Sequence, residues 1–335
     1  MNREEFNRGG GFPPLSPDLI LGLVESVLGC SCTNLCRPLN SYINRVYELE
    51  TREGEGLIAK LYRPGRWSRS GIQDEHDFLL ELADREIPVI VPKRFRDGST
   101  LGSHGSMHFA VFPKKGGRSF DEFSDDQWLS LGMLLARVHS VGALHKPRQR
   151  ITLHPAHATR EQIDYILAHD FMEPDQAAAF RAVTTELIDR ITSLFAHCEL
   201  IRIHGDCHAA NFIHRPGESF SLIDFDDMAV GPPVHDFWML LPGSPEECVV
   251  EIDLFLEGYE TFRSFDRSSL RLIEPLRAMR FIHYIAWCAH QVVEDGSSPI
   301  IPDFGSRTYW QTEIDDLADQ LRRIETAPPA GGNVL

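Results

Sequence analysis

The sequence predicts an α+β protein with two lobes, a small lobe built on an antiparallel sheet and a larger, mainly helical lobe. Short segments rich in Val, Ile, Leu and Tyr, separated by polar breaks, fill much of the first third of the chain. Beyond residue 117 the apolar spacing is mainly helical. The run 113–117, which carries a proline, two lysines and two glycines, interrupts both patterns, so we place the lobe boundary there.

The N-terminal lobe is predicted at 17–113, after a flexible N-terminus at 1–16 that is rich in Gly, Pro and Asn. Pro17 and Asp18 open a helix, because proline and acidic residues favour a first turn. A meander of three strands, a second helix and two further strands follow. The predicted strands are 35–42, 45–50, 56–62, 89–95 and 107–112, and the second helix is 70–85.

The C-terminal lobe is predicted at 114–326, before a flexible tail at 327–335. One amphipathic helix begins near Trp128. Further helices are predicted at 174–198, 246–264, 268–293 and 307–325. The exception is a polar loop flanked by two short apolar runs, 201–203 and 220–225.

Composition restricts the partners and the compartment. The chain of 335 residues has 33 Lys and Arg against 49 Asp and Glu, a net charge of -16, and no segregated basic face, so we expect no nucleic-acid partner. The start lacks the features of a secretory signal, and no apolar run is long enough to span a bilayer. Seven cysteines without framework spacing suit a reducing compartment. We expect a cytoplasmic monomer with no membrane partner.

The polar loop carries the candidate catalytic residues. Asp206 and Asn211 project from the segment 203–212, and Asp224 follows the next short apolar run. Phosphoryl transfer needs a carboxylate that orients the attacking hydroxyl, together with oxygen ligands for Mg²⁺. Any one of these residues could cap a turn, but the set favours phosphoryl transfer.

This loop resembles the catalytic loop of the protein-kinase-like superfamily, in which the metal-binding Asn follows the catalytic Asp as Asn211 follows Asp206. The wording His-Gly-Asp-x-His-x-x-Asn resembles the aminoglycoside phosphotransferase branch, which includes choline and homoserine kinases. The resemblance implies a protein-kinase-like fold, ATP as co-substrate, Asp206 and Asp224 as catalytic residues, and Asn211 and Asp224 as Mg²⁺ ligands. No glycine follows Phe225 and no Ala-Pro-Glu motif is present, so a phosphorylated activation loop is not expected.

The N-terminal lobe supplies candidates for the nucleotide. Lys60 lies on the third predicted strand, where the superfamily places its phosphate-binding lysine, and Glu75 on the next helix is its candidate partner. The alternative is an edge-strand lysine that faces solvent. The turn between the first two strands has no glycine, so Ser41 and Asn44 are expected to donate hydrogen bonds to the phosphates. Phe112 falls where the lobes join, near the expected adenine site.

Five segments together look like the stress response kinase A family of bacteria: 39–47, 109–113, 204–209, 236–241 and 273–280. The resemblance runs from about residue 16 to about residue 310. It implies a cytoplasmic Ser/Thr protein kinase of the envelope-stress response with Mg-ATP as donor, in which Ser41 contacts ATP and Asp206 accepts the proton. It also suggests that Asp236 anchors the catalytic loop.

We therefore predict a kinase that transfers the γ-phosphate of ATP to Ser or Thr hydroxyls of proteins. A small alcohol such as choline, homoserine or an aminoglycoside is the alternative acceptor, because Asp226 and Asp227 could attract a cationic amine. A non-catalytic nucleotide-binding scaffold is the second alternative.

Overall fold

The computed structural model describes residues 12–118, 122–214 and 219–326. The segments predicted as flexible lie outside these ranges, except for 12–16, which run without regular structure into the first helix. The α+β prediction is confirmed, since an antiparallel sheet is followed by a mainly helical part. Among the helices of the described ranges, none combines the length and the apolar character that crossing a bilayer requires.

The N-terminal part is a five-stranded antiparallel sheet with the strand order β1-β2-β3-β5-β4. Its elements are α1 (Pro17–Leu28), β1 (Cys32–Leu39), β2 (Arg45–Thr51), β3 (Gly56–Tyr62), α2 (Arg69–Ala83), β4 (Gly102–His104) and β5 (Met107–Pro113). Lys60 pairs with Val46 on one side and with Ala110 on the other, so it lies on the central strand. The Ser16 side chain caps α1, whose Ile20 and Val24 join the buried cluster of the sheet.

The predicted strand at 89–95 is wrong. Pro88 and Pro92 have no N–H to give to a ladder, so the segment is extended but unpaired over most of its length. Val89 forms an isolated bridge with Leu222 of the helical part. The edge strand of the sheet is instead the three-residue β4, which was not predicted.

The helical part carries seven α-helices and four short strands within the described ranges. The helices are α3 (Asp125–Gly142), α4 (Arg160–Ala168), α5 (Pro174–Thr192), α6 (Val234–Trp238), α7 (Val249–Glu260), α8 (Ile273–Asp295) and α9 (Arg307–Thr326). The strands are β6 (Ile201–Ile203), β7 (Phe212–Ile213), β8 (Ser221–Leu222) and β9 (Ala229–Gly231). They form two antiparallel ribbons, β6 with β9 and β7 with β8, and these ribbons frame the polar loop.

Two glycines allow α3 and α7 to approach closely. A Cβ atom on Gly132 would lie 2.0 Å from the carbonyl oxygen of Phe255, and one on Gly258 would lie 2.1 Å from that of Leu129. Because both obstacles are backbone atoms, a side chain at either position has to move one helix away from the other.

Gly132→Ala is expected to destabilise the fold by about 1–3 kcal/mol, the usual effect of overpacking a buried contact. The matched control is Gly22→Ala in α1, where a Cβ atom meets nothing within 4 Å and alanine improves helix propensity. Urea unfolding measures both variants. Equal stability of Gly132→Ala and the wild type would contradict the close packing of α3 and α7.

Candidate active site

Asp236 anchors the loop 203–212 to α6. Its carboxylate accepts the backbone N–H groups of His204 at 2.7 Å and of Gly205 at 2.9 Å, and it lies 3.0 Å from Nε2 of the buried His139. Gly205 has φ 85°, and a Cβ atom there would lie 2.1 Å from the carbonyl oxygen of Asp227. The loop is therefore held by a buried carboxylate at a point where only glycine fits.

Asp206 has donors at both carboxylate oxygens. Nη2 of Arg280 lies 2.6 Å from Oδ1, and Nε2 of His208 lies 3.4 Å from Oδ2. Burial acts to raise the pKa of the Asp206 carboxyl, but the His208 hydrogen bond and the Arg280 charge outweigh it, and the pKa lies well below its usual range. Asp206 is thus ionised at neutral pH and can accept a hydrogen bond from a hydroxyl.

Asn211 is oriented by the same loop. Its side-chain amide nitrogen donates to the carbonyl oxygen of Asp206 at 2.8 Å, which leaves its amide oxygen as a potential ligand. The N–H of Ile223 donates to the Asn211 carbonyl oxygen at 3.0 Å. Asn211 precedes β7 and Asp224 comes after β8, so the β7–β8 ribbon brings both residues to the same end of the ribbon.

Asp224 adopts a left-handed backbone conformation, with φ 59° and ψ 67°. A non-glycine residue in this region is strained by about 1–3 kcal/mol, and such strain concentrates at functional sites. The side chain is 55% exposed, and its Oδ1 lies 3.0 Å from Nζ of Lys60.

Lys60 is buried among carboxylates, so the alternative of a solvent-facing lysine on an edge strand is wrong. Its Nζ lies 3.6 Å from Oε1 of Glu75 and 3.2 Å from Oδ1 of Asp226, in addition to its contact with Asp224. Burial lowers the pKa of the Lys60 ammonium, but these carboxylates outweigh burial and raise it. The structure brings the predicted residues Lys60, Glu75 and Asp224 together.

Arg66 and Arg150 complete this cluster, and sequence reasoning missed both. Arg66 donates from its two amino groups to Asp226 and Asp227, each at 2.5 Å. Arg150 lies 3.1 Å from Oε2 of Glu75 and donates to the backbone of Gly71 and Asp226. The sequence showed Arg66 only as part of a cluster of arginines after β3, and it gave no signal for Arg150.

The interpretation of Asp226 and Asp227 as an acidic pair open to a cationic amine is disfavoured by these contacts. Asp226 is 5% exposed and paired with Lys60 and Arg66, and Asp227 is paired with Arg66. Asp226 is therefore closed to an amine, and Asp227, whose side chain is 25% exposed, already has a cationic partner.

The charges of the ion cluster do not cancel. Lys60, Arg66 and Arg150 face the four carboxylates of Glu75, Asp224, Asp226 and Asp227, so one negative charge is left over. Within the described ranges no group of three or more His, Cys, Asp or Glu side chains forms a metal cage. The predicted ligands are the amide oxygen of Asn211 and the carboxylate of Asp224. Together with phosphate oxygens they would suit Mg²⁺, which takes few ligands from the protein.

The turn at 40–44 lies between β1 and β2 and carries the other predicted nucleotide contacts. Ser41 is partly exposed there, whereas Asn44 is 5% exposed and its Oδ1 accepts the backbone N–H of Arg63 at 3.1 Å. Asn44 thus braces the turn against the end of β3. Between them Tyr42 is exposed, and its ring centroid lies 6.3 Å from that of Trp287 on α8, so the turn contacts the helical part.

Phe112 lies on β5, where it pairs with Ile58 of β3. It is partly buried, and its ring meets the His76 ring edge-on at a centroid distance of 6.2 Å. It packs against the core of the helical part and against the small cluster around Tyr62, and therefore sits where the two parts meet.

The fold and the residues described above define a kinase-like phosphotransferase. The sequence profile of the phosphotransferase enzyme family matches residues 35–273. Stress response kinase A of Escherichia coli (strain K12) is 35% identical over 334 residues, which cover 98% of each chain. The chain belongs to the phosphotransferase enzyme family and, within it, to the stress response kinase A family.

Two further proteins are similar to this chain. The serine/threonine protein kinase RdoA of Salmonella typhimurium (strain LT2) is 34% identical over 95% of this chain and 96% of its own. The solved structure of an amicoumacin kinase in complex with AMP-PNP, Ca²⁺ and Ami has a TM-score of 0.72 at 20% identity, and the match covers 98% of this chain and 97% of that one. The expected kinase-like fold is therefore confirmed.

Arg150→Gln is expected to destabilise the protein by about 3–5 kcal/mol, because it leaves the buried Glu75 carboxylate without its arginine partner. The control is Arg307→Gln, which breaks a pair with Asp175 whose side chains are 66% and 61% exposed, and no measurable change is expected. Thermal and urea unfolding compare the two variants. If Arg150→Gln is as stable as Arg307→Gln, Arg150 does not have the proposed role in the cluster.

Proposed function

We propose that this protein transfers the γ-phosphate of Mg-ATP to Ser or Thr hydroxyls of proteins. The observation that carries the proposal is the ion cluster of Lys60, Glu75 and Asp224, to which the β7–β8 ribbon joins Asn211 and, through the Asn211 amide, the Asp206 backbone. The similarity to the serine/threonine protein kinase RdoA supports a protein acceptor. The pairing of Asp226 and Asp227 with Arg66 disfavours a cationic amine acceptor.

The residues on the nucleotide side would act by electrostatics. The Lys60 ammonium, held by Glu75, would neutralise charge on the phosphates that bind beside it. Asn211 and Asp224 would hold Mg²⁺, which supplies charge neutralisation at the transferring phosphoryl group. Ser41 would contact the nucleotide from the turn at 40–44, and Phe112 would lie near the adenine.

On the acceptor side, the ionised Asp206 would orient the hydroxyl for attack on the γ-phosphorus. As the new P–O bond forms, the bond from the γ-phosphorus to the bridging oxygen of the β-phosphate breaks and ADP leaves with that electron pair. The hydroxyl proton passes to the Asp206 carboxylate. Asp236 keeps the loop in place through the backbone of His204 and Gly205.

Asp206→Asn is expected to lower kcat by roughly 10²- to 10⁴-fold, because the amide orients a hydroxyl poorly and cannot take its proton. The control is Asp253→Asn on α7, whose side chain is 69% exposed, and it should retain the wild-type rate. Transfer from labelled ATP to a general protein acceptor measures both. A rate near wild type for Asp206→Asn would show that this carboxylate is not the base.

The acceptor class is tested with the same labelled ATP on a protein acceptor and on amino alcohols such as choline and homoserine. We expect label on the protein acceptor. Transfer confined to the amino alcohols would favour the small-molecule alternative, consistent with the fold shared with an amicoumacin kinase. Nucleotide binding without transfer to any acceptor would instead support a scaffold.

A further inference from the structure

Arg280 faces the loop 203–212 from α8, and beyond lowering the pKa of Asp206 it has no role in the proposed transfer. Its Nη2 lies 2.6 Å from Oδ1 of Asp206, and the two side chains are 29% and 21% exposed. The pair is thus partly buried, and an unpartnered guanidinium there is more costly than at the surface. An acceptor hydroxyl that approaches Oδ1 of Asp206 has to share or replace this contact.

A cavity next to the loop shows what else faces Arg280. It is lined by Arg280, His283, Gln162, Asp227, Gly205 and His235, together with apolar side chains. Gln162 Nε2 and His283 Nδ1 lie 2.8 Å apart. Burial, followed by the charge of Arg280, lowers the pKa of His283 to about 4, so the imidazole is neutral at physiological pH.

The acidic groups around this cavity already have cationic partners. Asp206 has Arg280, and Asp227 has Arg66. A lysine or arginine of an acceptor would find Asp206 and Asp227 already paired with arginines, and would have to compete with Arg280 for Asp206. A carboxylate of an acceptor would instead find a guanidinium whose planar set of donors can bind it bidentately.

We infer that Arg280 determines acceptor specificity by binding a carboxylate next to the acceptor hydroxyl, so that the preferred site is a Ser or Thr flanked by Asp or Glu. When that carboxylate engages Arg280, Oδ1 of Asp206 is released to the hydroxyl and the guanidinium keeps an anionic partner. The inference rests on the proposed function, since it requires a protein acceptor at Asp206.

The test uses the full-length protein and matched peptides with one serine flanked by Glu, Gln or Lys. The wild type should show kcat/KM roughly 10- to 100-fold higher for the Glu peptide than for the Gln peptide, the effect of one hydrogen bond between charged groups. The Lys peptide should be the poorest. Arg280→Gln should bring the ratio of Glu to Gln peptide close to one, mainly through a higher KM for the Glu peptide.

Two variants separate recognition from folding. Arg277→Gln removes the same charge one turn earlier on α8, where the side chain donates to the carbonyl oxygen of Gly243, and it should keep the Glu preference. Arg280→Lys keeps a positive charge without the planar fork and should retain part of the preference. A merely structural role for Arg280 would lower the rates on all peptides without changing their ratio.

The inference is overturned if Arg280→Gln keeps the wild-type ratio, or if the wild type transfers phosphate to peptides with no preference for Glu. Either result rejects the role of Arg280 in specificity and remains compatible with the proposed phosphotransfer to proteins. Absence of transfer to every peptide, with transfer to amino alcohols or with none at all, would overturn the proposed function as well. The outcomes therefore distinguish the failure of the inference from that of the function.

Discussion

The contact between Lys60 and Asp224 joins the central strand of the small sheet to the segment after β8, and the ion cluster is organised around this contact. A buried ammonium is unfavourable without anionic partners, and Lys60 receives them from α2 and from the segment after β8. Arg66 and Arg150 then offset the surplus of carboxylates. Because each ion in the cluster depends on a partner from another segment, the cluster fixes how the sheet sits against the helical part.

A second buried carboxylate, that of Asp236, holds the backbone of a loop in place. Asp236 accepts two consecutive N–H groups at the start of the loop 203–212, and the β7–β8 ribbon fixes the far end of that loop. Asp206 and Asn211 therefore project from a segment held at both ends. Such preorganisation reduces the reorganisation needed when a substrate binds.

Much of this arrangement could be predicted from local sequence. Apolar patterns and motif spacings that span only a few residues are enough to predict the central strand around Lys60, the loop 203–212 and Asp224. The segment 89–95 was misassigned because its apolar residues suggested a strand while Pro88 and Pro92 removed the donors that a strand needs. The partners of Arg66, Arg150 and Arg280 could not be predicted, because they lie 160, 75 and 74 residues away and meet only in the folded chain.

Helix α8 contacts the turn between β1 and β2 and also the loop 203–212. Trp287 meets Tyr42 in the turn between β1 and β2, the end of the helix pairs with Arg63, and Arg280 lies three residues before His283 beside the catalytic loop. A rigid helix with contacts at both sites is a mechanical link between them. If occupation of one site displaces α8, the affinity of the other changes, and thermodynamic reciprocity makes the two effects equal in size. The cooperativity between the two substrates is then a property of this helix as much as of the residues that touch them.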